Sequence, residues 1–168
     1  MKQEKIFTQL KKLLEFKNLE ETAAALHVSY RFAVNLNSAK QGYKNQRNFF
    51  AIIAAFMEEF SVEDRKALLK KVDFIPFPRP GTEVEKIQLL RQSRQKPLMK
   101  LKNLFLFGNL KDLAQAFHIN YKSASHLNNM RVCNFNLRNA IEVLIVFTEA
   151  LNSYVRPKVI LEKVDFFD

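Results

Sequence analysis

The sequence repeats itself at a fixed offset. Leu10 of a first copy matches Leu101 of a second, which sets the offset at 91 residues. The matched stretches are 10–19, 23–37 and 45–65 in the first copy and 101–110, 114–128 and 136–156 in the second. With one additional residue in the second copy, 71–74 then matches 163–166. We therefore predict two copies of one small domain, arranged as an internal pseudo-dimer.

Length and composition favour a mainly α protein whose two copies share an interface. The chain has 168 residues, so each copy is close to the lower size limit for independent folding. Apolar residues make up 48% and include 16 Phe, which is enough to fill packed cores. Three Gly and five Pro leave little room for the many turns of an all-β fold.

Spaced apolar residues and capping residues predict five helices in each copy. In the first copy, N-caps are expected at Asn18, Ser29, Asn45 and Ser61. The helices of the first copy are expected at 6–14, 19–26, 30–40, 45–60 and 61–71. Those of the second copy are expected at 98–107, 110–117, 121–131, 137–152 and 155–163.

A segment rich in proline and charge separates the two copies. Residues 78–96 are expected to be a partly helical linker, which places the domains at 1–77 and 97–168. Alternating apolar residues at Val72–Phe77 and Val164–Phe167 predict a short central antiparallel β pairing between the copies. The alternative is a pair of extended tails that pack their Phe side chains on the core.

The second and third helices of each copy carry the pattern of a helix-turn-helix. This motif needs a small residue where its helices touch, and apolar residues around the turn and on the buried side of the second helix. These positions hold Ala23, Leu26, Val28, Ala33 and Leu36, and in the second copy Ala114, Phe117, Ile119, Ala124 and Leu127. Segments 19–36 and 110–127 thus resemble the helix-turn-helix superfamily, in its lambda-repressor-like or winged branch. They depart from it at His27 and His118, which occupy the turn position where Gly is usual.

The resemblance implies that the third helix of each copy enters the major groove of DNA and reads base edges. The predicted base-reading residues are Ser29, Tyr30, Arg31, Asn35 and Ser38, and in the second copy Asn120, Tyr121, Lys122, Ser125, His126 and Asn129. Arg can fork onto guanine and Asn onto adenine. The alternative is an ordinary solvated helix face. Such a face usually carries some carboxylates, whereas neither of these faces has any.

The two reading faces differ from each other. Arg31 matches Lys122, Val34 matches Ser125, and Asn35 matches His126. The DNA target is therefore expected to be an imperfect palindrome or asymmetric. Alternatively, one copy reads bases while the other grips the backbone.

A second polar pattern starts the fourth helix of each copy. An Asn cap followed by Arg in the first turn places a cation at the positive end of the helix dipole, which a bound phosphate would relieve. The predicted phosphate-binding residues are Lys40, Lys44, Asn45, Arg47, Arg131, Asn136 and Arg138. The alternative is an Arg that reaches water or pairs with a carboxylate.

Charge and cysteine content limit the possible partners and the cellular compartment. The net charge of +10 indicates a polyanionic partner, nucleic acid or an anionic membrane surface, although many cytosolic proteins are merely basic. Cys133 is the single cysteine, so no intrachain disulfide can form, which fits a reducing cytosol. No signal-peptide pattern or membrane-spanning apolar run is present, and we expect a cytoplasmic protein without membrane contact.

No pattern of catalytic, metal-binding or cofactor-binding residues emerges, and no enzyme activity is expected. The resemblance implies double-stranded DNA as the partner of a monomeric internal dimer, with other DNA-processing or regulatory proteins as further partners. Such a chain would act as a transcriptional regulator. By architecture it is also similar to accessory DNA-binding proteins of conjugative plasmids of Gram-positive bacteria (the TraN-like proteins) and of other mobile elements. A helical protein–protein interaction module, such as an antirepressor or inhibitor, and RNA binding remain as alternatives.

Overall fold

The computed structural model describes residues 4–38, 43–75, 96–128, 135–152 and 154–167. These residues form ten α-helices and contain no β-strand. The helices of the first copy are α1 (Ile6–Leu13), α2 (Leu19–Ala25), α3 (Tyr30–Asn37), α4 (Lys44–Met57) and α5 (Val62–Lys70). Those of the second copy are α6 (Pro97–Leu104), α7 (Leu110–Ala116), α8 (Tyr121–Asn128), α9 (Phe135–Leu151) and α10 (Pro157–Leu161). The prediction of a mainly α protein is confirmed.

The order of the helices agrees with the sequence prediction, but several ends differ. Helix α3 ends at Asn37 instead of residue 40, and α4 ends at Met57 instead of residue 60. Helix α10 is shorter than the predicted 155–163. The predicted linker lies outside the described residues except for Lys96.

Side-chain caps explain where several helices begin. The Oδ1 atoms of Asn18 and Asn109 accept hydrogen bonds from the backbone N–H groups of Glu21 and Asp112, each at 2.8 Å. The hydroxyl of Ser61 accepts from the third residue of its helix in the same way. Each cap accepts a hydrogen bond from one of the free N–H groups of a first turn. The carboxylates in these first turns are stabilised by the positive end of the helix dipole.

The longest helices, α4 and α9, pack against each other at the centre of the molecule. Rings of the first copy meet rings of the second: Phe49 lies 5.9 Å from Phe117, and Phe56 lies 5.8 Å from Phe105, between centroids. Almost all buried apolar side chains of both copies belong to one connected cluster. Because each large apolar side chain gains about 1.5–3 kcal/mol on burial, the copies stabilise each other.

The predicted β pairing between 72–77 and 164–167 is not formed by the described residues of these segments. Ile75 N–H donates to Asn139 Oδ1 at 2.7 Å, and Phe167 N–H donates to Asn48 Oδ1 at 2.7 Å. A side-chain amide offers a donor and an acceptor as a strand backbone would, so each tail is satisfied by a side chain of the other copy. The alternative interpretation is confirmed, since Phe74 and Phe166 pack against the core.

None of the helices in the described part of the chain is both long enough and apolar enough to cross a lipid bilayer.

Candidate nucleic-acid interface

Helix α3 has one buried and one exposed face, as the sequence predicts. Phe32, Ala33 and Leu36 point into the core. On the other face, Tyr30 is 54% exposed, and Arg31 is exposed as well. Val34, which the prediction did not include, is also exposed on this side.

Helix α8 repeats this arrangement in the second copy. Ala124, Leu127 and Asn128 are buried, while Tyr121 is 53% exposed and Lys122 is exposed. Ser125 and His126 are only half-buried. Neither α3 nor α8 contains Asp or Glu, so an approaching polyanion meets no side-chain carboxylate of these helices.

Four other predicted base-reading residues make local hydrogen bonds. Ser29 Oγ accepts from Phe32 N–H at 3.2 Å, and Asn120 Oδ1 accepts from Lys122 N–H at 2.8 Å, so both cap their helices. The remaining two lie near the end of α3: Asn35 Nδ2 donates to Tyr43 Oη at 3.4 Å, and Ser38 Oγ donates to Asn35 O at 2.9 Å. The predicted Asn129 lies outside the described residues.

The starts of α3 and α8 are each hydrogen-bonded to the other copy. Asn136 Oδ1 accepts from Ser29 N–H at 2.9 Å, and Asn45 Oδ1 accepts from Asn120 N–H at 3.0 Å. These bonds are related by the repeat offset. Asn45 and Asn136 therefore use their amide oxygens between the copies, whereas the sequence predicted a helix cap and a phosphate contact. Helix α4 begins after Tyr43, without a side-chain cap.

A second pair of asparagines, not singled out by the sequence analysis, connects the copies next to this point. Asn48 Nδ2 donates to His118 O, and Asn139 Nδ2 donates to His27 O, each at 2.8 Å. Both asparagines are fully buried. Asn48 therefore joins the turn before α8 to the tail of the second copy, and Asn139 joins the turn before α3 to the tail of the first copy. The available signal was an identical polar residue at the start of an apolar helix in both copies.

The turns that precede α3 and α8 each contain a residue with a left-handed backbone. The φ angles of His27 and His118 are 51° and 53°, a region that Gly adopts most easily. Each imidazole stacks on a tail phenylalanine of its own copy, Phe74 or Phe166, with centroids 3.9 Å apart in both cases. His27 stays partly exposed, but the partial removal of its ring from water disfavours the charged imidazole and lowers its pKa below the usual value.

Two of the three predicted phosphate-binding arginines, Arg47 and Arg138, bond to main-chain carbonyls instead. Arg138 is 1% exposed, and its Nη2 donates to Leu127 O at 2.8 Å. Arg47 is half-buried, with Nε donating to Leu36 O at 3.0 Å and Nη2 donating to Ser38 O. The last carbonyls of a helix carry partial negative charge, and they supply the anionic partner for which a phosphate was predicted. In this structure Arg138 is buried against the end of α8, so its phosphate role stays a prediction that the exposed surface does not support.

Lys44 is the exposed cation that remains of the predicted phosphate set within the described residues. It lies at the start of α4 and lines an open groove together with Asn120. Lys40 and Arg131, which were predicted to extend the same rim, lie outside the described residues. Of the cations predicted to contact DNA, those that the structure places at the exposed surface are Arg31, Lys122 and Lys44.

Among the residues that the structure describes, no group of three or more His, Cys, Asp and Glu side chains is placed to hold a metal ion. Comparison with protein-family models, with curated proteins and with solved structures gives no match to this chain. The functional interpretation therefore depends on the geometry of the site alone.

Proposed function

We propose that the chain binds double-stranded DNA as an internal pseudo-dimer of two helix-turn-helix domains. In this proposal α3 and α8 are the reading helices, and each enters the major groove of one half-site. The observation that carries the proposal is the pair of outward faces with Tyr30 and Arg31 on one helix and Tyr121 and Lys122 on the other. Both faces are exposed and free of carboxylates.

The left-handed turns support the helix-turn-helix interpretation. In that motif the chain reverses tightly between the two helices, at the position where Gly is usual. His27 and His118 occupy this position with φ near 50°. Their stacking on Phe74 and Phe166 offsets part of the cost of the left-handed backbone, which explains how a residue other than Gly is tolerated.

The asparagine contacts between the copies support a joint action of the two helices. A two-site reader gains affinity only when both helices are held at a separation that fits successive major grooves, about 34 Å apart. Asn45 and Asn136 bond across the copies to the residues that precede α8 and α3, so the start of each helix is tied to the other copy. The chain would then act as a monomer, as a transcriptional regulator or as an accessory DNA-binding protein of a mobile element.

The proposal is tested by fluorescence anisotropy with a random duplex of about 30 base pairs, which covers two half-sites one turn apart. A single strand and a duplex RNA of the same length are measured beside it, at about 50 and 200 mM salt. We expect the duplex DNA to bind most tightly and its affinity to fall steeply with salt, because each neutralised phosphate releases a counterion. Absence of duplex binding at the lower salt would sink the proposal.

A charge-reversal pair separates the reading helices from general attraction of a basic protein. R31E/K122E removes the cation from both reading faces and is expected to weaken duplex binding by at least tenfold, since a lost base contact costs about 1–3 kcal/mol. The matched control is K71E/K163E, two exposed lysines related by the repeat. The control changes the net charge equally and should retain most of the affinity.

Exposed Tyr30, Val34 and Tyr121 on the same faces also suit a protein partner, because aromatic residues are enriched in protein interfaces. This alternative, an antirepressor or inhibitor module, predicts that R31E/K122E and K71E/K163E weaken DNA binding equally.

A further inference from the structure

A cavity of about 150 Å³ lies where the two copies meet, behind helix α8. One side of it is apolar and is formed by residues from both copies. These residues are Phe49 of α4, Ile119 of the turn, Leu127 of α8 and Leu137 of α9. All four are buried, with at most 7% of their surface exposed.

The other side of the cavity is polar and contains an acceptor without a partner. It is formed by Asn45, Gln46, Ser123 and His126. Asn45 Nδ2 donates to Ser123 Oγ at 3.0 Å. Gln46 Oε1 is buried, yet it accepts no hydrogen bond from any residue that the structure describes. A buried acceptor without a protein partner favours a molecule that brings a donor into the cavity.

Divergence between the two copies explains why space exists at this position. The residue that matches Ser123 in the first copy is Phe32, a buried ring 5.8 Å from the ring of Phe50. The residue that matches Gln46 in the second copy is Leu137. The second copy thus has a small hydroxyl where the first has a phenyl ring, and Gln46 brings a polar group where its counterpart is apolar.

We propose that this cavity binds a small neutral molecule with one aromatic ring and one O–H or N–H donor. Cavities of this volume lined by Leu, Ile and Phe accept benzene. The ring would lie against Phe49 and Leu127, and its donor would bond to Gln46 Oε1. No Asp, Glu, Lys or Arg lines the cavity among the described residues, so a charged ligand would find no partner there.

The test uses the full chain, phenol as the probe, and benzene as the ring without a donor. Each compound is titrated into ¹⁵N-labelled protein, and amide shifts are followed. We expect saturable shifts at residues 45, 46, 119, 123 and 127, with phenol binding about threefold to tenfold more tightly than benzene, as one hydrogen bond gives. The experiment contains no DNA, so its result is independent of the proposed DNA binding.

Two substitutions copy the counterpart residue from the other half of the chain. Ser123→Phe fills the cavity and is expected to abolish the binding of both compounds. Gln46→Leu removes the acceptor and is expected to lower the affinity for phenol to that for benzene. The control, Lys71→Glu at an exposed position, should bind phenol as the natural chain does.

The proposal is overturned if phenol gives no saturable shift at these residues, which would leave water as the occupant. It is also overturned if benzene binds as tightly as phenol, or if Gln46→Leu leaves the preference for phenol intact. Should Ser123→Phe fail to fold, the comparison of Gln46→Leu with the natural chain still decides the outcome.

Discussion

At the scale of single residues, a buried side-chain amide forms the hydrogen bonds that a neighbouring strand would otherwise form. Asn48 bonds to a turn carbonyl and to the tail backbone of the other copy, and Asn139 makes the matching bonds. An asparagine side chain carries the donor and the acceptor of a peptide group, so it can pair with extended backbone that has no neighbouring strand.

Asn48→Ala should therefore destabilise the protein more than its small change in volume suggests. The substitution leaves His118 O and Phe167 N–H without these partners, and each unsatisfied group costs about 1–3 kcal/mol when it is buried. We expect the free energy of unfolding, measured with urea, to fall by about 2 kcal/mol or more. Asn103→Ala, at an exposed helical position, is the control and should change stability by less than about 0.5 kcal/mol. Equal effects of the two substitutions would contradict the structural role of Asn48.

His27 gives a prediction on pH. Partial burial lowers its pKa in the folded protein, so the unfolded chain binds the proton more readily. The contribution of the neutral imidazole is then fully present above about pH 6.5, the unfolded value, and is lost as the pH falls through the lower folded value. We expect the difference in unfolding free energy between the natural chain and His27→Gln to shrink between pH 7.5 and pH 5.5. A difference that stays constant or grows as the pH falls would contradict this assignment.

At the scale of helices, periodicity and caps predicted which segments are helical, but not what every polar residue at a helix start does. Asn18 and Asn109 cap their own helices as expected. Asn45 and Asn136 have the same residue type in a similar position, yet they bond to the other copy. A cap and a contact between domains need the same amide oxygen, so only the tertiary arrangement distinguishes them.

The burial of Arg138 was beyond prediction for the same reason. Arg is mostly a surface residue, and the position within α9 does not reveal that α8 ends beside it. The tails 72–75 and 164–167 show the same limit, because alternating apolar residues fit a strand and an extended tail equally well. By contrast, the exposed faces of α3 and α8 followed from helical periodicity, since each lies opposite the apolar residues of its own helix.

Arg138→Gln distinguishes the two interpretations of this residue. In the structure its guanidinium bonds to the end of α8, so the substitution should lower the free energy of unfolding by about 1–3 kcal/mol. The matched control is Lys44→Gln, which removes an exposed cation and should leave stability nearly unchanged. If Arg138 contacted phosphate instead, Arg138→Gln would leave the stability unchanged. The slope of the logarithm of the DNA-binding constant against the logarithm of the salt concentration would then fall by about one.

At the scale of the whole molecule, the repeat in the sequence implied a shared interface, and the structure identifies α4 and α9 as its centre. Rings meet across the copies at Phe49 and Phe117, at Phe56 and Phe105, and at Phe60 and Phe147. The sequence could not specify these pairs, because both copies are rich in Phe and any of several faces could have been buried.

One connected core implies one unfolding transition for both copies. Phe56 belongs to the first copy but packs on Phe105 of the second, so Phe56→Ala removes contacts from both and should cost about 3–5 kcal/mol. The measurement is a urea titration followed by amide signals of α1 in the first copy and α7 in the second. We expect the two sets to share a single midpoint, and Phe56→Ala to lower both equally. Val159→Ala, at an exposed position of α10, is the control and should move neither midpoint appreciably. Two separate midpoints, with only the signals of α1 shifted by Phe56→Ala, would show that the copies fold independently and that the contacts between α4 and α9 contribute little to stability.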